Sequence, residues 1–172
     1  KGPHPEVPLY TVADAKASFP QLRPIRYGEA VKIHEGMEVT FHDAGHVLGS
    51  SMIRVRAQQN SAERTLIFSG DIGRWGKPIL RDPTLFEEAD YALVESTYGD
   101  RLLEPTANVA DELAEVINNT AKQGGNIIIP SFALERSQEI LYYLSMLLRE
   151  GRIPHLMVFV DSPMAVSVTE VF

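Results

Sequence analysis

Three short stretches hold residues able to do chemistry. Ala44-Gly45-His46-Val47-Leu48-Gly49-Ser50 sets one imidazole between glycines, where an extended pattern breaks. A loop of that kind can aim a ring nitrogen at a metal, although a lone histidine is more commonly just a satisfied polar residue. Ser69-Gly70-Asp71-Ile72-Gly73 puts a carboxylate just past an apolar strand pattern, between glycines that let the backbone turn sharply. An ordinary Asp-containing turn has the same appearance. Glu95 and Asp161 each end an apolar run directly, and a carboxylate placed there must be solvated, paired or bound to something.

His42 and His46 do not read as one metal pair. On an extended chain four residues span ~13 Å, and Gly45 with the preceding strand pattern opposes a helix, so His42 is read as structural or supporting. Ser131 and Ser162 each precede a helical stretch, and Pro163 suits a first helical position, so capping is the favoured role for both. The first-turn amides of such helices also bind anions, and Arg136 would project close enough to pair with a phosphate. Taken alone, Arg136 and Arg101 read as solvated surface arginines.

The elements that must position these residues change character along the chain. The proline-rich opening (Pro3, Pro5, Pro8, Pro20, Pro24) holds one short helix between Thr11 and Phe19, capped by Thr11 and ended by Pro20. Met37, Val39 and Phe41 alternate with Glu38, Thr40 and His42 as a half-buried strand. Ile53 and Val55 alternate with Arg54 and Arg56, a polar turn runs from Gln58 to Arg64, and Thr65 to Ser69 is a third strand, giving an antiparallel meander. From Tyr91 the runs Tyr91–Val94, Ile127–Ile129 and Met157–Val160 are continuously apolar. Helical patterns at Val109/Leu113/Val116/Ile117 and Ile140/Leu141/Leu144/Leu147/Leu148 separate them. A parallel β-α-β-α-β series is therefore expected, with a lobe boundary at this change of pattern. Gly124-Gly125 and Gly151 sit where left-handed helix ends are wanted. The only Gly-Gly pair precedes a strand, against a dinucleotide-binding turn.

Composition narrows the classes. A net charge of -7 argues against gripping nucleic acid by bulk attraction, so a polyanion would have to be held locally. With no cysteine there is no disulfide framework, thiolate zinc cluster or thiol nucleophile, which fits a reducing, cytoplasmic setting. No apolar run approaches the ~20 residues of a membrane span, and Lys1-Gly2-Pro3-His4-Pro5 resembles no signal peptide. The chain does not begin with Met and reads as a piece of something longer.

Taken in order, Phe41-His42-Asp43-Ala44-Gly45-His46-Val47-Leu48-Gly49-Ser50, Phe68-Ser69-Gly70-Asp71-Ile72-Gly73 and Glu95-Ser96-Thr97-Tyr98-Gly99-Asp100-Arg101 resemble the β-CASP branch of the metallo-β-lactamase superfamily. Pro130 to Glu139 (Pro-Ser-Phe-Ala-Leu-Glu-Arg-Ser-Gln-Glu) and Asp161-Ser162-Pro163-Met164-Ala165 extend the resemblance. That branch contains RNA-degrading nucleases and the endonuclease that cleaves pre-messenger RNA before polyadenylation.

The resemblance implies that His46 is a ligand to one zinc, that Asp71 bridges two zincs, and that Glu95 orients a histidine of a later motif which protonates the leaving oxygen. Imidazole nitrogen and carboxylate oxygen both suit zinc, and a metal pair about 3.5–4 Å apart can serve both oxygens of a phosphoryl displacement. Ser131, Arg136 and Ser162 are the candidate substrate contacts. The implied fold is α/β: part of an αββα metallo-β-lactamase sandwich over 1–104, then the start of the parallel β-CASP insertion over 105–172. The implied activity is metal-dependent hydrolysis of RNA phosphodiester bonds, on single-stranded RNA.

The chain departs from the pattern in lacking the His-x-His-x-Asp-His motif and the later histidine motifs. His4, His34, His42, His46 and His155 are its only histidines. The isolated 172 residues are therefore expected to bind zinc weakly or not at all and to be inactive alone. A half-sandwich would expose apolar surface, so self-association or burial against a partner is expected. Two other readings stay open: a non-catalytic assembly module of a nuclease complex, and an esterase or thioesterase-like metallohydrolase.

Overall fold

The computed structural model describes residues 8–102 and 108–172; Pro3, Pro5 and the expected 104/105 division lie outside the described residues. In chain order the elements are α1 (Val12–Ser18), β1 (Ala30–His34), β2 (Met37–Asp43), β3 (Ser51–Gln59), β4 (Ala62–Phe68), β5 (Tyr91–Leu93), α2 (Val109–Lys122), α3 (Arg136–Arg149) and α4 (Pro163–Thr169). The fold is mixed α/β, with one five-stranded sheet in the order β1-β2-β3-β4-β5.

The meander forms as alternation predicts. β2 pairs antiparallel with β3, and β3 with β4. The polar turn is tighter than expected, because pairing runs out to Gln59 and Ala62 and leaves only Asn60 and Ser61 between the strands. Asn60 takes φ 57, a left-handed conformation that asparagine tolerates better than most residues. Both faces of β2 are partly covered: Val39 is buried on one and Thr40 on the other. Pairing antiparallel with β2, β1 adds an edge that its alternation (Val31, Ile33 against Lys32, His34) could have signalled.

Three differences bear on the parallel series. Tyr91–Leu93 does form a strand, but it pairs parallel with β4, so the change of pattern at Tyr91 is not a break in the sheet. Ile127–Ile129 and Met157–Val160 form no strand or ladder among the described residues. An apolar run becomes a strand only when its amides find a neighbouring edge, and these two lack one, which leaves Ile128, Met157 and Phe159 largely exposed.

The helices end where glycine permits. Gly124 and Gly151 both take left-handed φ, and Gly125 N and Arg152 N reach back to Thr120 O and Leu147 O, closing α2 and α3 with Schellman geometry. Beyond that turn Ile153 folds back to join Ala114, Ile117 and Leu147 in the buried core between α2 and α3. Thr11 caps α1 in a reciprocal box with Asp14. Pro20 lies in a short 3-10 turn, Phe19–Gln21, that directly follows α1. No helix among the described residues is long and apolar enough to cross a membrane.

At the far end from the candidate site, Asp90 clamps the start of β5 to β4. Its carboxylate accepts from Thr65 N (2.8 Å) and pairs with Arg64 (2.7 Å), while its own N–H donates to Thr65 O. The Thr65 amide first, then Arg64, hold its carboxyl below the usual aspartate range. A depressed folded-state value means that this stabilisation is present above the ordinary aspartate range and is lost as pH falls through the lowered value. Amide protection at Thr65, its exchange rate relative to the intrinsic rate at the same pH, should therefore stay high at neutral pH and fall only in acid below the ordinary aspartate range. In Asp90→Ala it should be low throughout.

Candidate functional site

Sheet topology gathers the first group of candidates. The carboxyl ends of β2, β4 and β5 and the start of β3 lie along one margin, because Phe41 pairs with Ile53, Ile53 with Phe68, and Phe68 with Leu93 in a single row. His46 leaves just past β2, Asp71 just past β4 and Glu95 just past β5.

Backbone contacts lock those three exits together. Gly73 N donates to Ala44 O (2.8 Å), bringing the Asp71 turn against the His46 loop. A Cβ at Gly73 would overlap the Gly45 carbonyl, and one at Gly45 would stand 2.8 Å from Arg81 O with φ already at +63. Only glycine fits at either position. The His46 loop is tied to itself by Ser50, whose Oγ accepts from His46 N (3.1 Å) and Val47 N (3.2 Å). Asp43 Oδ1 accepts from Gly45 N (2.9 Å).

Glu95 grips the Asp71 turn from the other side. Its Oε1 accepts from Ile72 N at 2.6 Å, and its own N–H donates to Ser69 Oγ at 2.9 Å. The Ile72 amide first, then the Thr97 hydroxyl, hold its carboxyl below the usual range, and the charge of His46 adds to the effect. Ser69, buried at 4% exposure, also donates to Gly70 O. Nothing in the sequence set Ser69 apart from an ordinary strand-end serine.

His46 and Asp71 are exposed, and neither side chain makes a hydrogen bond or ion pair among the described residues. One imidazole nitrogen and one carboxylate are the donor types zinc takes, so the chemistry fits. Their number does not complete a tetrahedral site, and the described residues include no group of three or more His, Cys, Asp or Glu side chains able to hold a metal ion. His42 is directed elsewhere, its ring edge-on to Phe86 at 4.9 Å with Nε2 buried and unpartnered; burial first, then Arg54, lower its proton affinity.

The second group is built around helix starts. Ser162 caps α4 as expected, accepting from Ala165 N (3.2 Å), with Pro163 following. Ser131 does not cap α3: the helix begins at Arg136, with Glu135 at the capping position, and Ser131 Oγ instead meets Ser137 Oγ at 3.0 Å. The reason is an extra turn before the helix, whose Phe132 carbonyl takes the Ser137 hydroxyl. Arg136 is exposed and pairs with Glu139 (3.1 Å), and Arg101 pairs with its neighbour Asp100. Asp161 is exposed.

The geometry and the motif order agree with the likenesses to known proteins. The chain is 39% identical over 158 residues to a ribonuclease of Thermus thermophilus, covering 92% of this chain and 35% of that protein. It is 30% identical over 155 residues to an RNase J-like protein of Methanocaldococcus jannaschii, covering 88% and 36%. To an endoribonuclease of Eremothecium gossypii it is 34% identical over 139 residues, covering 79% and 17%. No family profile matches the chain. The chain belongs to the β-CASP branch of the metallo-β-lactamase superfamily. It spans about a third of the length of the first two relatives and less of the third.

If Gly45 and Gly73 are what let the two loops meet, Gly73→Ala should lower stability by about 3 kcal/mol or more, the high end of overpacking costs. An unchanged thermal midpoint for Gly73→Ala would mean that the loops do not touch.

Proposed function

We propose that the protein to which this chain belongs is a metal-dependent ribonuclease. The observation carrying the proposal is the convergence of His46, Asp71 and Glu95 at one sheet margin, with the first two left free of protein partners among the described residues. His46 and Asp71 would hold zinc, with further ligands from outside this set. When bound, the metal supplies positive charge to the phosphodiester and activates the attacking oxygen.

The chain's own residues do the positioning. Asp71 is presented by a turn whose two sides are fixed, Ile72 N by Glu95 and Gly73 N by Ala44 O. Because Glu95 spends a carboxylate oxygen on Ile72 N, it acts on Asp71 through the turn that carries it. Ser131, Arg136 and Ser162 would contact the RNA backbone, Arg136 by exchanging its Glu139 partner for a phosphate. Residues 1–104 would belong to the metallo-β-lactamase part and 105–172 to the β-CASP part.

Relatives named as a ribonuclease, an RNase J-like protein and an endoribonuclease support RNA as the substrate class. The test is cleavage of labelled single-stranded RNA by the full-length protein, measured with zinc content beside a chromogenic ester. His46→Ala and Asp71→Asn should each lose zinc and lower RNA cleavage by at least about 100-fold, whereas Glu95→Gln should cost roughly 10- to 100-fold. Ester turnover without RNA cleavage would refute the nuclease reading, and so would cleavage indifferent to both metal-ligand variants.

A further inference from the structure

We propose that the buried Lys77–Glu135 ion pair is a positioning device, setting helix α3 against the turn that carries Asp71. Lys77 lies just downstream of that turn, and its ammonium reaches Glu135 Oε1 at 2.9 Å and Glu139 Oε2 at 3.3 Å. The lysine side chain is 13% exposed and each glutamate 9%. Glu135 and Glu139 are one helical turn apart, so a single ammonium touching both fixes the rotation of α3 about its axis as well as its distance. Among the described residues the strands and α3 share no broad packed face, so this polar contact is a direct tie between α3 and the segment that follows Asp71.

The backbone at Glu135 is unusual in the same sense. At φ 77 and ψ -68, with Arg136 N donating to Leu134 O at 3.2 Å, it is the centre of a γ-turn of the rare, strained form. A glutamate in that region persists only when its surroundings over-determine it. Lys77 is the visible restraint, because the second Glu135 oxygen is buried without a partner. Arg136 cannot replace Lys77, since its side chain is 59% exposed and already paired with Glu139. The inference stands whether or not the neighbouring margin cleaves RNA.

These 172 residues have no cysteine, so Ser61→Cys in the β3–β4 turn and Ser145→Cys on α3 give unique sites for spin labels within them. Lys77→Met should broaden the inter-label distance distribution and speed amide exchange at 135–139 on the order of 10- to 100-fold. Lys77→Arg, which keeps the charge, should keep the distribution narrow. In Lys77→Met the added change Glu135→Gly removes both the unpaired carboxylate and the strained side chain. That double variant should regain thermal stability while its distance distribution stays broad. A narrow distribution in Lys77→Met, or in the double variant, would overturn the proposal.

Discussion

The contact between Gly45 and Gly73 decides whether the site exists. The loops after β2 and β4 leave the sheet at the same margin because β3 runs back between those strands, yet a shared margin only makes a meeting feasible. What makes it happen is backbone against backbone, Gly73 N on Ala44 O, with Arg81 and Pro83 closing behind Gly45. No side chain fits in that space. The loops that carry His46 and Asp71 therefore meet because the residues beside them have no side chain, and the side-chain chemistry depends on a steric condition set elsewhere.

The same logic separates the roles of the three candidate residues. Glu95 is the acidic residue most tightly held at this margin, with Oε1 on Ile72 N and its amide on Ser69 Oγ. The Ile72 N–H bond favours its charged form, and it also commits one oxygen to the backbone. Among the described residues Asp71 and His46 have no comparable obligations, so they retain the lone pairs a metal would need. On the proposed reading the carboxylate that is best stabilised is the one that positions, and the exposed pair is the one that binds.

Much of this was legible locally. The β2-β3-β4 meander follows from alternation, the Thr11 box and the Ser162 cap from residue types at helix starts, and the α2 and α3 ends from Gly124 and Gly151. What escaped depends on partners distant in sequence. The run Tyr91–Leu93 announces a strand, but nothing in it says that the strand will take the β4 edge. Ile127–Ile129 has the same signature and finds no edge among the described residues. Ser131 looks like a cap because the γ-turn at Glu135 cannot be read from Leu134-Glu135-Arg136. Lys77 has no sequence signal, since its partners lie 58 and 62 residues away. The site motifs were individually ambiguous and became informative only in their order, which is a family resemblance and not a physical derivation.

Charge gives the proposed chemistry its direction. The chain carries a net -7, and Asp71 and Glu95 add two carboxylates at the margin where a phosphodiester would have to approach. Bare carboxylates repel phosphate, and one neighbouring imidazole does not reverse that balance. The arrangement serves a polyanion only beneath a cation strong enough to change the sign of the local field, which a divalent ion between His46 and Asp71 would do. On the proposed reading, the net -7 of this chain leaves it little non-specific attraction for RNA, so the metal-bearing margin and the Arg136 helix start would be where the backbone is held.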